Sequence, residues 1–105
     1  MLRIYGTMLE MVREMRPTID AIAKRDASLG DQLRRAIQSV VLNTAEGMGS
    51  RGKNQAVRYA SALGSMRETV ACVEVAEVLG YVEKPSGEMG ERFRHVIGTL
   101  VKLGR

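Results

Sequence analysis

The sequence contains one cysteine, one histidine and no tryptophan, and each of these scarcities excludes a class of protein. Because Cys72 is alone, the chain cannot form an internal disulfide, which is typical of proteins from reducing compartments. Because His95 is the only histidine and has no Glu three residues before it, the Glu-x-x-His ligand pairs of di-iron bundles are missing. Three Tyr and one Phe are too few aromatics for a typical β-sheet core. We therefore expect an all-α protein that folds without metals or disulfides.

Long hydrophobic runs are also missing. The N-terminal segment, MLRIYGTMLEMVREMRP, carries charges every few positions, unlike the unbroken apolar stretch of a signal peptide. No window approaches the roughly 20 apolar residues of a membrane span. These features predict a soluble cytoplasmic protein. A chain of 105 residues is too short for two separate cores, so we expect a single domain over residues 1–105.

The net charge of +4 is distributed unevenly along the chain. Residues 1–60 contain ten Lys and Arg against six Asp and Glu, whereas residues 61–105 contain six of each. The basic excess therefore belongs to the first part of the sequence. An excess of this size is compatible with nucleic-acid binding, although it is weaker than that of a dedicated basic tail.

Apolar residues recur at helical spacing in four segments, at about 2–26, 31–48, 54–79 and 87–102. Their short connections favour antiparallel neighbours, and the sequence therefore predicts an up-down-up-down four-helix bundle. Pro17 should kink or divide the first helix near Arg16, since proline lacks an amide donor and clashes with the preceding turn.

Capping residues and glycines mark the predicted ends of the second and third helices. After a helix-breaking segment at 28–30, Asp31 is the predicted N-cap of the second helix. Asn54 is the predicted N-cap of the third helix. Gly80 is suited to the left-handed position that follows the end of that helix.

Two heptad seams run along the third helix, one formed by Tyr59, Leu63, Met66, Val70 and Val73 and the other by Ala62, Ser65, Thr69, Cys72, Ala76 and Leu79. Two seams require two partner surfaces. The helix is therefore either central in its own bundle or also packed against another chain. Gly64 and Ser65 interrupt good helix formers, and Gly costs about 1 kcal/mol relative to Ala. We expect these small residues to allow another helix to approach closely.

Three segments resemble a bacterial family, the four-helix bundle or 23S rRNA intervening-sequence proteins. QLRRA at 32–36 is similar to the opening of the family's second helix. LNTAEG at 42–47, followed by Arg51, resembles its N-I-A-E-G segment, with Thr44 in place of the preferred Ile. ALGSMRE at 62–68 and LGY at 79–81 resemble its signature on the third helix. The motif positions on which we place most weight are Glu46, Gly47, Gly64, Ser65 and Glu68.

The resemblance implies a four-helix bundle that assembles into a homo-oligomer, with a pentameric ring or barrel favoured. A distant branch of the family is the accessory variability determinant of diversity-generating retroelements, which pairs with a reverse transcriptase and binds nucleic acid through a basic surface. For this chain the resemblance therefore implies self-association, with RNA or DNA and a protein such as a reverse transcriptase as candidate partners.

Glu46 and Glu68 are the residues that come nearest to a catalytic constellation. Paired carboxylates on neighbouring helices can perform acid–base chemistry or hold a metal. We favour a structural role, in which they form ion pairs with Arg34, Arg35 or Arg67, because a buried charge needs a partner. We expect Cys72 to be buried as a small apolar residue and His95 to lie at the surface or an interface. The sequence therefore predicts a protein that is not an enzyme and has no cofactor.

The segment GMGSRGK at 47–53 invites comparison with a phosphate-binding loop. The Walker pattern requires Ser or Thr after the lysine and a preceding strand, and here Asn54 follows Lys53 in a helical context. Glycines and basic side chains just before a helix N-terminus nevertheless form a general anion-attracting arrangement.

Our candidates for contact with a nucleic-acid backbone are Arg34, Arg35, Arg51, Lys53 and Arg58. In an oligomer these cations are repeated in every subunit, and release of counterions would make binding sensitive to salt but not to base sequence. Two functions remain open. One is a homo-oligomeric scaffold or adaptor that binds RNA or DNA. The other is a protein–protein interaction module with no nucleic-acid role.

Overall fold

The computed structural model describes residues 2–105, and all regular structure in this range is helical. The helices are α1 (Arg3–Arg25), α2 (Ala27–Met48), α3 (Gly52–Val78) and α4 (Gly87–Leu103). Each helix packs on the next one along the chain, and α1 also packs on α4. The predicted all-α fold of four helices is confirmed. None of the described helices has the length and apolar character needed to cross a membrane.

The helix α1 is continuous from Arg3 to Arg25, so Pro17 does not divide it. Proline at this position removes one backbone hydrogen bond. The kink near Arg16 stays a prediction.

The junction between α1 and α2 differs from our expectation. Asp26, not Asp31, is the N-cap of α2, and its Oδ1 accepts the amide of Leu29 at 2.9 Å. The segment predicted to break the helix forms the first turn of α2. Gly30 lets α2 cross close to α1 there, because a Cβ at this position would lie 2.7 Å from Ala23 of α1.

The helix α3 begins two residues before the predicted cap. Gly52 is its first residue and has a φ of 57°, a left-handed value that glycine adopts without strain. Arg51 occupies the N-cap position and provides no side-chain hydrogen bond. Asn54 therefore lies inside the first turn, and its predicted capping role is wrong.

The end of α3 agrees with the prediction. Gly80 has a φ of 78°, as expected for the residue after the C-cap. Its amide donates to the carbonyl of Glu77, and the amide of Tyr81 donates to the carbonyl of Ala76, both at 2.9 Å. These two bonds form a Schellman motif, which satisfies carbonyls that the helix leaves unpaired.

The core draws side chains from all four helices, and its fully buried members include Met8, Met11, Met15, Ile22, Leu33, Ile37, Val40, Met66, Val73, Val96 and Leu100. Both predicted seams of α3 contribute to it, through Met66 and Val73 of the first and Cys72 and Ala76 of the second. Two helices of the same chain, α2 and α4, therefore pack against α3.

The turn between α2 and α3 is built around a buried glycine. A Cβ at Gly47 would lie 2.5 Å from Cε1 of Tyr59, so the aromatic ring occupies the space that a side chain would need. The side-chain amide of Gln55 donates to the carbonyl of Gly47 at 2.9 Å and to that of Ser50 at 3.1 Å. Together these contacts hold the start of α3 against the end of α2.

Replacing Gly47 with Ala should destabilise the fold by about 1–3 kcal/mol, since the added methyl group must displace the buried ring of Tyr59. Urea unfolding followed by circular dichroism measures this change. Gly98→Ala is the matched control, because Gly98 is exposed inside α4 and a Cβ there meets no other atom within 4 Å. The control should be stabilised by up to about 1 kcal/mol. Equal stability of the two variants would show that the ring does not occupy this space.

Candidate nucleic-acid interface

The basic residues predicted to contact nucleic acid fall into two groups along the α2–α3 face. The first group, Arg34 and Arg35, lies in the first half of α2. The second group surrounds the turn between the helices and contains Arg51, Lys53 and Arg58. From Arg35 to Glu46, which contacts the second group, α2 rises by about 17 Å. The five residues therefore do not form one continuous cluster.

The first group shares one carboxylate. Asp31 lies 2.5 Å from Arg34 and 2.9 Å from Arg35, measured between the Oδ atoms and Nη2 of each guanidinium. All three side chains are at least one-third exposed, so these ion pairs contribute little to stability. Their main effect is on the local charge, which Asp31 lowers from +2 to +1.

The second group contains an ion pair between the two helices. Nε of Arg58 lies 3.0 Å from Oε2 of Glu46. The prediction that Glu46 pairs with Arg34, Arg35 or Arg67 is therefore wrong. Glu46 and Arg58 are brought together by the register in which α3 packs on α2.

Arg51 and Lys53 are the basic candidates without an ion-pair partner in residues 2–105. Both are exposed, at the N-cap and in the first turn of α3. No side chain caps this helix, so its first amides remain available to solvent or to an anion. The partial positive charge of a helix N-terminus adds to the two cations. This corner of the molecule therefore attracts anions.

Glu68 makes no ion pair within the described residues, contrary to our expectation. It lines a shallow 420 Å³ groove with Ser28, Asp31, Gln32 and Arg35. The groove lies between α2 and α3. The carboxylate of Glu68 thus adds negative charge beside the first basic group.

Ser65 has a structural role in the same face. Its hydroxyl donates to Oγ of Ser39 on α2 at 2.7 Å, and the Asn43 amide donates to the same atom at 2.9 Å. The predicted close helix approach is confirmed at Ser65. At Gly64, which is exposed, no helix of the described chain approaches, since a Cβ there would meet no atom within 4 Å; for a helix of another chain the prediction stays open.

The residue types that could perform catalytic chemistry do not come together in the described structure. Cys72 is buried as predicted, and burial, with a smaller effect of the Glu68 carboxylate, raises the pKa of its thiol. His95 is exposed on α4. A 550 Å³ cavity between α3 and α4 is lined by residues that include neither Glu46, Glu68 nor His95. Within residues 2–105, no three His, Cys, Asp or Glu side chains are grouped so that they could hold a metal ion.

An all-α fold of four helices, in which each helix packs on the next one along the chain, defines a small helical protein of the four-helix class. Residues 1–102 match the family described as 23S rRNA-intervening sequence protein, and the chain belongs to this family. The family inferred from the three sequence segments is thereby confirmed. No curated protein and no solved structure matches the chain.

The stability of the protein should decrease at alkaline pH. Burial raises the pKa of the Cys72 thiol above 9.0 and that of the Tyr59 phenol above 10.0, so both groups stay neutral in the folded chain when the unfolded chain already ionises. The unfolded state then binds fewer protons, and the free energy of unfolding falls as the pH rises. Cys72→Ala should flatten this fall above about pH 8.5, where an unburied thiol ionises, as measured by urea unfolding. An unchanged slope in the variant would show that the thiol ionises alike in both states.

Proposed function

We propose that this protein is a non-enzymatic, homo-oligomeric scaffold or adaptor that binds the backbone of RNA or DNA in the cytoplasm. The observation that supports this proposal is the pair of exposed cations, Arg51 and Lys53, which have no ion-pair partner in the described chain and lie at the uncapped start of α3. Arg58 lies one further turn along α3, and Arg34 and Arg35 extend the basic surface along α2.

The four helices are proposed to form an antiparallel up-and-down bundle. Their connections contain one residue at 26, three at 49–51 and eight at 79–86. Connections this short favour antiparallel neighbours. The packing of α1 on both α2 and α4 is consistent with the same arrangement. In this bundle the first basic group and the second lie on one face, along the α2–α3 contact.

The charge of this face depends on how its ion pairs respond to phosphate. The five cations with Asp31 and Glu46 carry a net charge of +3 per subunit. Exposed ion pairs are worth only about 0–1 kcal/mol, so a phosphate can replace either carboxylate. A homo-oligomer repeats this charge in every subunit and so strengthens the positive electrostatic potential of the face. A pentamer is the form that the resemblance implies.

Replacing Arg51 and Lys53 together with Gln should weaken the binding of a labelled single-stranded RNA. At about 50 mM salt we expect about ten-fold lower affinity, and the slope of log affinity against log salt should decrease by about 1.4. Fluorescence anisotropy measures both quantities. The matched control is the double variant Arg16→Gln and Lys102→Gln, which removes the same charge from exposed positions on α1 and α4.

The control should retain most of the affinity and of the slope. Equal losses in both double variants would mean that only net charge matters and that the interface is misplaced. If the unaltered protein binds neither RNA nor DNA at low salt, nucleic-acid binding is refuted and the alternative function stands.

The alternative is a protein–protein interaction module without a nucleic-acid role. The observation that favours it is the set of large apolar side chains exposed on or at the end of α3, namely Val57, Val75, Val78 and Leu79. Exposed apolar surface of this kind marks contacts with other proteins when it is contiguous. The partner is a second copy or, for an adaptor, a protein such as a reverse transcriptase.

Light scattering coupled to size exclusion should give a mass above the 11.6 kDa of one chain. A pentamer would have about five times this mass. The measurement is made with and without RNA at about 100 µM protein, where weak contacts are populated. A monomer under both conditions would refute self-association, whereas an oligomer that ignores RNA would support the alternative function.

A further inference from the structure

The outward side of α3 carries a third heptad seam, which the described chain leaves uncovered. Its members alternate by four and three residues and are all exposed: Val57, Ser61, Gly64, Glu68, Ala71, Val75 and Val78. The two predicted seams face α2 and α4, and this one faces away from the core. Val78 is 86% exposed and Val75 is 47% exposed. The apolar members of the seam, Val57, Ala71, Val75 and Val78, gain free energy when another helix covers them.

We propose that this seam packs against the same seam of a second copy, with the two α3 helices antiparallel and related by a two-fold axis at Ala71. The inference rests on the proposed self-association and specifies one contact that contributes to it. A two-fold axis makes the contact isologous, so the same residues contribute from both copies.

The shape of the seam is complementary to itself in this register. Gly64 and Val78 lie seven residues on either side of Ala71, so the axis places each Val78 opposite the Gly64 of the other copy. Gly64 has open space where a Cβ would be, and Ala71 is small, so the helices can approach closely. The most exposed valine thus covers the position with no side chain.

The charges beside the seam are complementary in the same register. Arg67 and Glu74 lie on one flank of the seam, and neither makes an ion pair in residues 2–105. In an antiparallel pair, residues of one flank face each other at equal distances from the axis. Because Arg67 lies four residues before Ala71 and Glu74 lies three residues after it, each Arg67 comes within about one residue of the level of the Glu74 of the other copy, which its long side chain can reach. Such matched charges favour one orientation over others.

Other registers are less favourable. In an antiparallel pair with its two-fold axis between Arg67 and Glu68, each Arg67 would lie beside the Arg67 of the other copy, and each Glu68 beside the other Glu68. Both contacts bring like charges together. A parallel pair could form Arg67–Glu68 contacts, but it would set Gly64 opposite Gly64 and leave a gap, and it would bring the two Glu68 carboxylates together in the seam. The register at Ala71 avoids both problems.

The contact joins one helix from each copy and is therefore smaller than the roughly 800 Å² per partner of a stable complex. We expect a dissociation constant on the order of 10 µM for it alone. A two-fold contact pairs two identical units. It would therefore join two monomers into a dimer, or two rings into a double ring.

Charge reversal tests the contact by sedimentation analysis over about 1–300 µM protein. Arg67→Glu alone or Glu74→Arg alone should raise the dissociation constant about ten-fold and lower the average mass at every concentration in this range, since each places like charges together twice. An equimolar mixture of the two variants should restore association to within about three-fold of the unaltered protein, because both ion pairs re-form between unlike copies. Lys24→Glu is the control, since Lys24 is exposed on α1 and away from this seam.

Several outcomes would overturn the proposal, and circular dichroism confirms first that each variant is folded. Association that survives both single reversals refutes this contact but leaves the proposed homo-oligomer intact. Rescue of Arg67→Glu by Glu68→Arg, but not by Glu74→Arg, shows a parallel pair. An unaltered protein that is monomeric at every concentration refutes both this contact and the proposed self-association. Val78→Glu should also separate the two copies that the seam joins, and a variant whose mass equals that of the unaltered protein at every concentration refutes the seam.

Discussion

The register in which α3 packs on α2 is the constraint on which the rest of this structure depends. The ring of Tyr59 fits where Gly47 has no side chain, and a methyl group would already lie 2.5 Å from it. Two further contacts follow from the same register, Glu46 with Arg58 and Ser39 with Ser65. Interiors are packed too densely for such a fit to slide by a residue. The positions of the charged side chains on this face are consequences of that buried fit.

This register determines which cations remain available to bind an anion. It brings Glu46 into an ion pair with Arg58. The helical spacing of α2 brings Asp31 into ion pairs with Arg34 and Arg35. The turn beyond the last α2–α3 contact contains no acidic residue, so the two basic side chains at 51 and 53 keep their charge. The anion-attracting corner therefore lies at the end of the face, where packing between the helices stops.

The sequence was sufficient for the helices and for the family, because both depend on local patterns. Apolar spacing located four helices, and Gly80 marked the end of α3 since only a left-handed residue completes the Schellman motif there. The cap of α2 was misassigned because Asp26 and Asp31 both precede helical residues, and sequence does not say which one begins the helix. Gly30 suggested a break because the crossing with Ala23 that requires it is a tertiary contact.

The ion pairs were the least predictable part of the candidate site. Asp31 lies three and four residues before Arg34 and Arg35, a spacing that could have indicated both pairs. The partner of Glu46 could not be found in this way, because it depends on which turn of α3 lies beside α2. The isolation of Glu68 and the exposure of Gly64 have the same cause. Both belong to the outer side of a helix whose orientation only the packed structure reveals.

The two proposals together have a geometric consequence. In the antiparallel pair centred on Ala71, Lys53 lies 18 residues from the axis, or about 27 Å along the helix. The basic corners of the two copies are then about 54 Å apart, at opposite ends of the paired helices. A short oligonucleotide can reach one corner, whereas a long strand can reach both and gains effective concentration at the second. Self-association through the outer seam would therefore favour long nucleic acids without adding any contact to a base.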